Sequence, residues 1–406
     1  MTSIIASAQA NHFLNIPTNQ GTQSARPQNL FAVITALMLF LIGVAHLAPA
    51  QTETVLHSFN GNDGSYPFSR LIIDSKGNLY GATGGNPVTS TFASIFKLGT
   101  TEKLGVLYSQ PGTGVCDLCI DNLLRDSQGN LYGSDAAGGE FGNGAIFKLT
   151  PSGVFNVLYS FTGGSDGKSP NDGLIADQEG NLYGTAAFGG AFDQGAVFKV
   201  TPSGNEQVVY SFTGGSDGGE PWGRLVRDTQ GNFYGTTYAD GSFHFSFGVA
   251  FKLTADGVES VLHSFTGGSD GGHPNGDLIL DSQGNLYGTT PAVSRGTHGT
   301  VFKITQQGVL TVLHTFSGPD GFDPRSGLLM DASGNLFGTT FSGGASGDGV
   351  VYKVTPGGAE TVLHSFSGGD GSFPVGGLAF DQRGNLYGTT AYGGISNNGV
   401  VFRIAF

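Results

Sequence analysis

Gly284-Asn285-Leu286-Tyr287-Gly288-Thr289-Thr290 has six relatives in the same chain. They begin at Gly77, Gly129, Gly180, Gly231, Gly334 and Gly384, so the intervals are 52, 51, 51, 53, 50 and 50 residues. Seven copies at so even a spacing mark a repeat architecture. Around the fifth copy four β-type runs can be read. The first is Asp277 to Leu280, closed by the turn Asp281-Ser282-Gln283-Gly284. The second is Asn285 to Thr290. After a variable loop, Pro291 to Gly299, the third is Thr300 to Ile304 and the fourth Thr311 to Phe316.

Four strands joined by short turns form an antiparallel meander, which has no core of its own. Seven meanders packed face to face around an axis do. The ends of the chain agree with a closed ring. The run Val55-Leu56-His57-Ser58-Phe59 is a fourth-type strand with no partners before it, and the last unit stops after its third strand, at Phe406. The expectation is an all-β, seven-bladed β-propeller over residues 51–406, its last blade completed by the N-terminal strand so that no sheet edge is left open.

Composition supports this class. Glycine accounts for 70 of 406 residues, spread through the repeats, while apolar residues still make up 38%, as many tight turns between short strands require. The net charge is −13. An acidic chain with no basic face is a poor nucleic-acid binder. Residues 1–50 read as a leader: a polar stretch, then an apolar run from Leu30 to Leu47, then Ala48-Pro49-Ala50. That is a signal peptide with cleavage after Ala50, or an uncleaved membrane anchor. Either places the repeats outside the cytoplasm: secreted, periplasmic or on the cell surface.

Several motifs recur in fixed order in the units: Gly-Asn-Leu-Tyr-Gly-Thr-Thr, Gly-Gly, Val-Phe-Lys-x-Thr-Pro-x-Gly, Val-Leu-His-Ser-Phe and Asp-Gly-x-x-Pro. Together they resemble the GloVer-type (Gloeo/Verruco) tandem repeat of bacterial exported proteins, over essentially all of residues 52–406. The resemblance implies an exported repeat protein and carries no activity with it. A looser likeness to NHL-type propellers, through apolar-x-Asp-x-x-Gly-Asn-Leu-Tyr, bears on the fold only.

Residues present in all seven copies are expected to build the blade; function is expected where the copies differ. Asp74, Asp126, Asp177, Asp228, Asp281, Asp331 and Asp381 suit a tight turn in which the carboxylate accepts backbone N–H groups. Lys97, Lys148, Lys199, Lys252, Lys303, Lys353 and Arg403 lie toward the same end of the blade, which predicts Asp–Lys pairs. His57, His263, His314 and His364 share a fourth-strand position with Tyr108, Tyr159 and Tyr210, as amphipathic rings at an outer edge. Asp63, Asp166, Asp217, Asp270, Asp320 and Asp370 lead the Asp-Gly-x-x-Pro segments, either as turn residues or as an acidic face around the axis. Cys116 and Cys119 are the only cysteines, and outside the cytoplasm a local disulfide between them is expected.

Non-repeated chemistry gathers in the loops of two neighbouring units. These hold Trp222, the only tryptophan, with Glu220, Phe243, His244, Phe245, His273, Arg295 and His298. An aromatic floor with polar tips suits a glycan or another polar ligand. No nucleophile elbow, zinc motif or phosphate loop is present, and neither a metal nor a cofactor is implied. The sequence therefore points to a binding or surface-interaction module. The alternatives are a propeller lyase or hydrolase, with a histidine as general base beside Glu220, and a purely structural surface repeat.

Overall fold

The computed structural model describes residues 51–85, 93–110, 122–239, 247–293 and 297–406. The leader, the Cys116–Cys119 pair, Phe243, His244, Phe245 and Arg295 lie outside them. The described residues form strands and turns without a helix, in seven antiparallel sheets of the expected meander order. Blade 5 is typical, with strands Ile279–Leu280, Leu286–Thr290, Thr300–Ile304 and Leu310–Thr315. The ring closes as the chain ends predict. Thr52–Ser58 is the outer strand of blade 7, paired with Val400–Ala405 from Thr52 opposite Ala405 to Ser58 opposite Val400. Blade 1 begins at Ile72–Ile73, and blade 6 ends at Glu360–Ser365.

Register explains the repeated motif. Gly288 lies opposite Phe302 on the third strand. A Cβ at Gly288 would sit 2.6 Å from the Phe302 ring and 2.8 Å from Leu278. Glycine is thus the flat bed on which an aromatic ring lies, and its backbone is ordinary strand. The same ring packs edge-on against the phenylalanine that ends the previous blade's fourth run. Phe265 meets Phe302 at 5.2 Å, and Phe59–Phe96 and Phe366–Phe402 repeat the contact across other seams. Each core cluster accordingly joins two neighbouring blades, as Phe265 and Ala250 of blade 4 join Leu278, Leu286, Phe302 and Ile304 of blade 5. Burial of these seams holds the wheel together.

The turn aspartates accept four hydrogen bonds in most blades. Asp281 Oδ1 takes the backbone N–H groups of Gln283 (2.9 Å) and Asn285 (2.8 Å), and Oδ2 takes Asn285 Nδ2 (2.7 Å) and the Tyr287 hydroxyl (3.1 Å). The expected Asp–Lys pairs do not form: none of the seven lies within ion-pair distance. Tyr287 stands directly opposite Lys303 in the ladder, so its ring lies between them. The tyrosine hydroxyl takes the aspartate, and the lysine ammonium lies over the ring, 5.5 Å from its centre in blade 5 and 5.5 to 5.9 Å in blades 1 to 4.

Candidate functional site

Each Asp-Gly-x-x-Pro segment leads from one blade's outer strand to the next blade's inner one. Its aspartate is committed to that crossing. His57 Nε2 donates to Asp63 at 2.9 Å, His314 to Asp320 and His364 to Asp370 at 3.0 Å, and the Tyr159 and Tyr210 hydroxyls to Asp166 and Asp217 at 2.9 Å. The same carboxylates cap the backbone N–H of Asn60, Thr162, Thr213, Ser317 and Ser367. They are turn residues, and the alternative of an acidic face around the axis does not hold.

The residue before each proline is unusual. Tyr66, Ser169, Glu220, His273, Asp323 and Phe373 all have left-handed backbones, with φ between 51° and 63°. A residue preceding proline ordinarily prefers extended backbone, and a non-glycine side chain at such φ costs roughly 1 kcal/mol or more. The conformation is held from outside. Each N–H donates to a carbonyl in the previous blade's loop, as Glu220 does to Gln194 (2.9 Å), His273 to Phe247 (2.7 Å) and Asp323 to His298 (2.9 Å). Six different side chains stand where glycine would relieve the strain. Their identity serves something other than backbone conformation.

The residue after each proline faces the axis. Phe68, Asn171, Trp222, Asn275, Arg325 and Val375 surround one cavity of about 210 Å3 at the mouth of the central channel. Below them Asn122 Oδ1 accepts the Arg70 N–H at 2.8 Å, and buried Asp277 pairs with Arg224 at 3.2 Å. A second cavity of about 480 Å3 adjoins the first, sharing Trp222, Asn275 and Arg325 and adding Tyr238, His273 and Asp323. Arg325 binds Asp323 at 2.7 Å and lies 4.2 Å over Phe341. Asn275 Oδ1 is buried and has no hydrogen-bond partner among the described residues.

The structure brings Trp222, Glu220 and His273 together. His273 stacks on Tyr238 at 4.6 Å, and its Nδ1 donates to the Tyr238 carbonyl at 2.8 Å, which leaves Nε2 as the acceptor of the neutral ring. Glu220 is only 7% exposed. Burial pushes its carboxyl up from the ordinary range, against opposing pulls from the Trp222 side chain and His273. His298 lies elsewhere. Its ring meets Phe322 edge-on at 5.4 Å in a neighbouring cavity of about 280 Å3. It shares no metal-ligand geometry with His273. Sequence reading missed Phe68, Arg70, Asn171, Asn275, Asp277 and Arg325. The signal was available: the position after the repeated proline carries five residue types in six copies.

Seven four-stranded meanders around an axial mouth define a β-propeller with a variable top face. The sequence matches the Gloeobacter/Verrucomicrobia repeat over residues 43–246, 119–329 and 241–406, and the chain belongs to that family. No curated protein sequence matches it. Among solved structures, virginiamycin B lyase from Staphylococcus aureus is similar at 13% identity and TM-score 0.58, over 88% of this chain and 99% of that one. The extracellular domain of a putative one component system from B. thetaiotaomicron is similar at 12% identity and TM-score 0.56, over 87% of this chain and 40% of that one. A gluconolactonase from Xanthomonas campestris aligns at 15% identity and TM-score 0.46, over 88% and 98%. At these identities the likeness concerns the fold alone.

Proposed function

We propose that this protein is an exported binding module that holds a polar, polyhydroxylated ligand at the mouth of its channel. The observation that carries this is the ring of six axial side chains, of five residue types, set on a frame whose other positions repeat. Its chemistry suits a sugar. Trp222 and Phe68 are 39% and 36% exposed and offer ring faces from blades 4 and 1. The Asn275 amide and the Arg325–Asp323 pair supply directional donors and acceptors between them. Export is supported by the leader and by the family resemblance.

Trp222 is the sole tryptophan, so intrinsic fluorescence reports on the mouth directly. Purified protein titrated with soluble oligosaccharides and cell-wall glycan fragments is expected to show a saturable emission change. Asn275→Ala should weaken that binding by about tenfold, as loss of a buried hydrogen-bond partner implies. No change with any member of the panel would sink the proposal.

A second reading rests on Glu220 and His273, a buried carboxyl beside an imidazole at the edge of an open cavity. It makes the same mouth a catalytic site, with His273 Nε2 as general base. Turnover of a bound glycan that is abolished in His273→Ala, with binding retained, would favour it.

A further inference from the structure

The outer strands carry a feature that neither the fold nor the mouth accounts for. In four blades the fourth strand has glutamate opposite the last apolar residue of the third: Glu206 in blade 3, Glu259 in blade 4, Glu360 in blade 6 and Glu53 in blade 7. Blades 1, 2 and 5 have Leu104, Phe155 and Leu310 at the same position, where they pack against the seam cores. The slot is thus built for an apolar side chain. In it, each glutamate has a buried Oε1 with no hydrogen-bond partner among the described residues.

Each glutamate also faces the aspartate of the preceding Asp-Gly-x-x-Pro crossing. Glu53 meets Asp370 and His364, and Glu360 meets Asp320 and His314, with one N or O atom from each of the three residues lying within 4.8 Å of the others. Glu206 faces Asp166, itself bonded to Tyr159, and Glu259 faces Asp217, bonded to Tyr210. Tyr352 is a further titratable neighbour of Glu360. The ion pairs that involve arginine or lysine among the described residues are Arg224–Asp277 and Arg325–Asp323, so none of the four glutamates is neutralised that way. Burial first, and the facing aspartate second, push all four up to about 7.

We propose that the four glutamates make the seams between blades 2–3, 3–4, 5–6 and 6–7 proton-operated: neutral and closely packed in acid, mutually repelling and looser in base. The last of these seams includes Thr52–Ser58, the strand that closes the ring, so alkaline loosening acts on closure itself. The other three seams have no such group and stay tight. The sign follows from linkage. A carboxyl raised in the folded state favours folding fully below its unfolded value of 4.5, and that stability is lost as pH rises through about 7.

The test is thermal unfolding of the full chain between about pH 6 and pH 8.5, which brackets the raised values. The midpoint of the wild type is expected to fall by several degrees toward the alkaline end. The quadruple variant Glu53→Gln, Glu206→Gln, Glu259→Gln and Glu360→Gln should unfold at nearly the same temperature throughout, above the wild type in base. Should that variant not fold, single Glu206→Leu, which copies the residue type of blades 1 and 5, should lose about a quarter of the wild type's pH dependence. A variant as pH-dependent as the wild type overturns the proposal. So does a wild-type midpoint restored in base by calcium or manganese but unmoved by them in the glutamine variants, since the slots would then be cation sites.

Discussion

Replacing Asp281 with alanine removes an acceptor of four hydrogen bonds, at 2.7 to 3.1 Å, without touching the backbone bonds that close the turn. Bonds to a charged acceptor contribute about 1.5–3 kcal/mol each where water is excluded. This turn is half-buried, so water replaces part of what is lost, and about 3 kcal/mol in all is the reasonable expectation. With an unfolding entropy of roughly 2 cal/mol/K per residue over residues 51–406, that is a fall of about 4 °C in midpoint. Blade 6 supplies an internal control. Phe337 replaces the tyrosine there, and Asp331 accepts only from Ser333 N, Asn335 N and Asn335 Nδ2. Asp331→Ala should therefore cost about 1 kcal/mol less, the contribution of one hydroxyl. Tyr287→Phe should cost about that difference. Lys303→Met should cost under about 1 kcal/mol, because Lys303 rests on the tyrosine ring and makes no ion pair. Equilibrium denaturation at neutral pH measures all four. A loss below about 1 kcal/mol for Asp281→Ala would show that the carboxylate does not organise the turn, and an equal loss for Asp331→Ala would show that the tyrosine hydroxyl adds nothing to it.

Two further expectations concern the frame. Hydrogen bonds from the Asn side chain and from backbone N–H groups outweigh burial and hold Asp74, Asp126, Asp177, Asp228, Asp281 and Asp381 below the usual carboxylate range. Stability from these groups is present above 3.8 and lost as pH falls through the lowered folded values, so with the raised glutamates the midpoint should peak at about pH 4–5 and decline on both sides; a flat profile would contradict both assignments. Gly288→Ala should destabilise by about 1–3 kcal/mol through collision with Phe302 and Leu278, measured by urea denaturation, whereas Gly347→Ala, which meets only open space, should lose no more than its left-handed backbone costs.

The wheel was legible because Gly-Asn-Leu-Tyr-Gly repeats seven times and because Val55 to Phe59 lacked partners of its own. Both are properties of the chain as a string. The Asp–Lys pairing was misread because sequence places Asp281 and Lys303 at one end of a blade and does not say that Tyr287 lies between them. That is a matter of register. The mouth was half legible. Trp222, Glu220 and His273 stood out as rare residues in loops, whereas Asn171, Asn275 and Arg325 are ordinary residue types. What marks them is the step after a proline that follows a left-handed residue. Tyr66, Glu220 and Phe373 gave no warning of that conformation, since the carbonyls that impose it belong to the preceding blade. The glutamate slots were hidden for the same reason: Glu360 meets Asp320 only when two blades are stacked.

The pairing of Thr52–Ser58 with Val400–Ala405 also sets an order of events in time. The first strand of the wheel leaves the ribosome some 340 residues before its partner exists, and it has no strand to pair with meanwhile. Blades 1 to 6 are each complete within about 50 residues and can assemble one upon the next as the chain emerges. The seventh waits for the final strand. A chain that stops short of Val400 therefore keeps an orphan strand at one end and an unfinished sheet at the other, two exposed edges that invite pairing with a second chain, so Val400–Ala405 decides between a closed ring and a polymerising fragment.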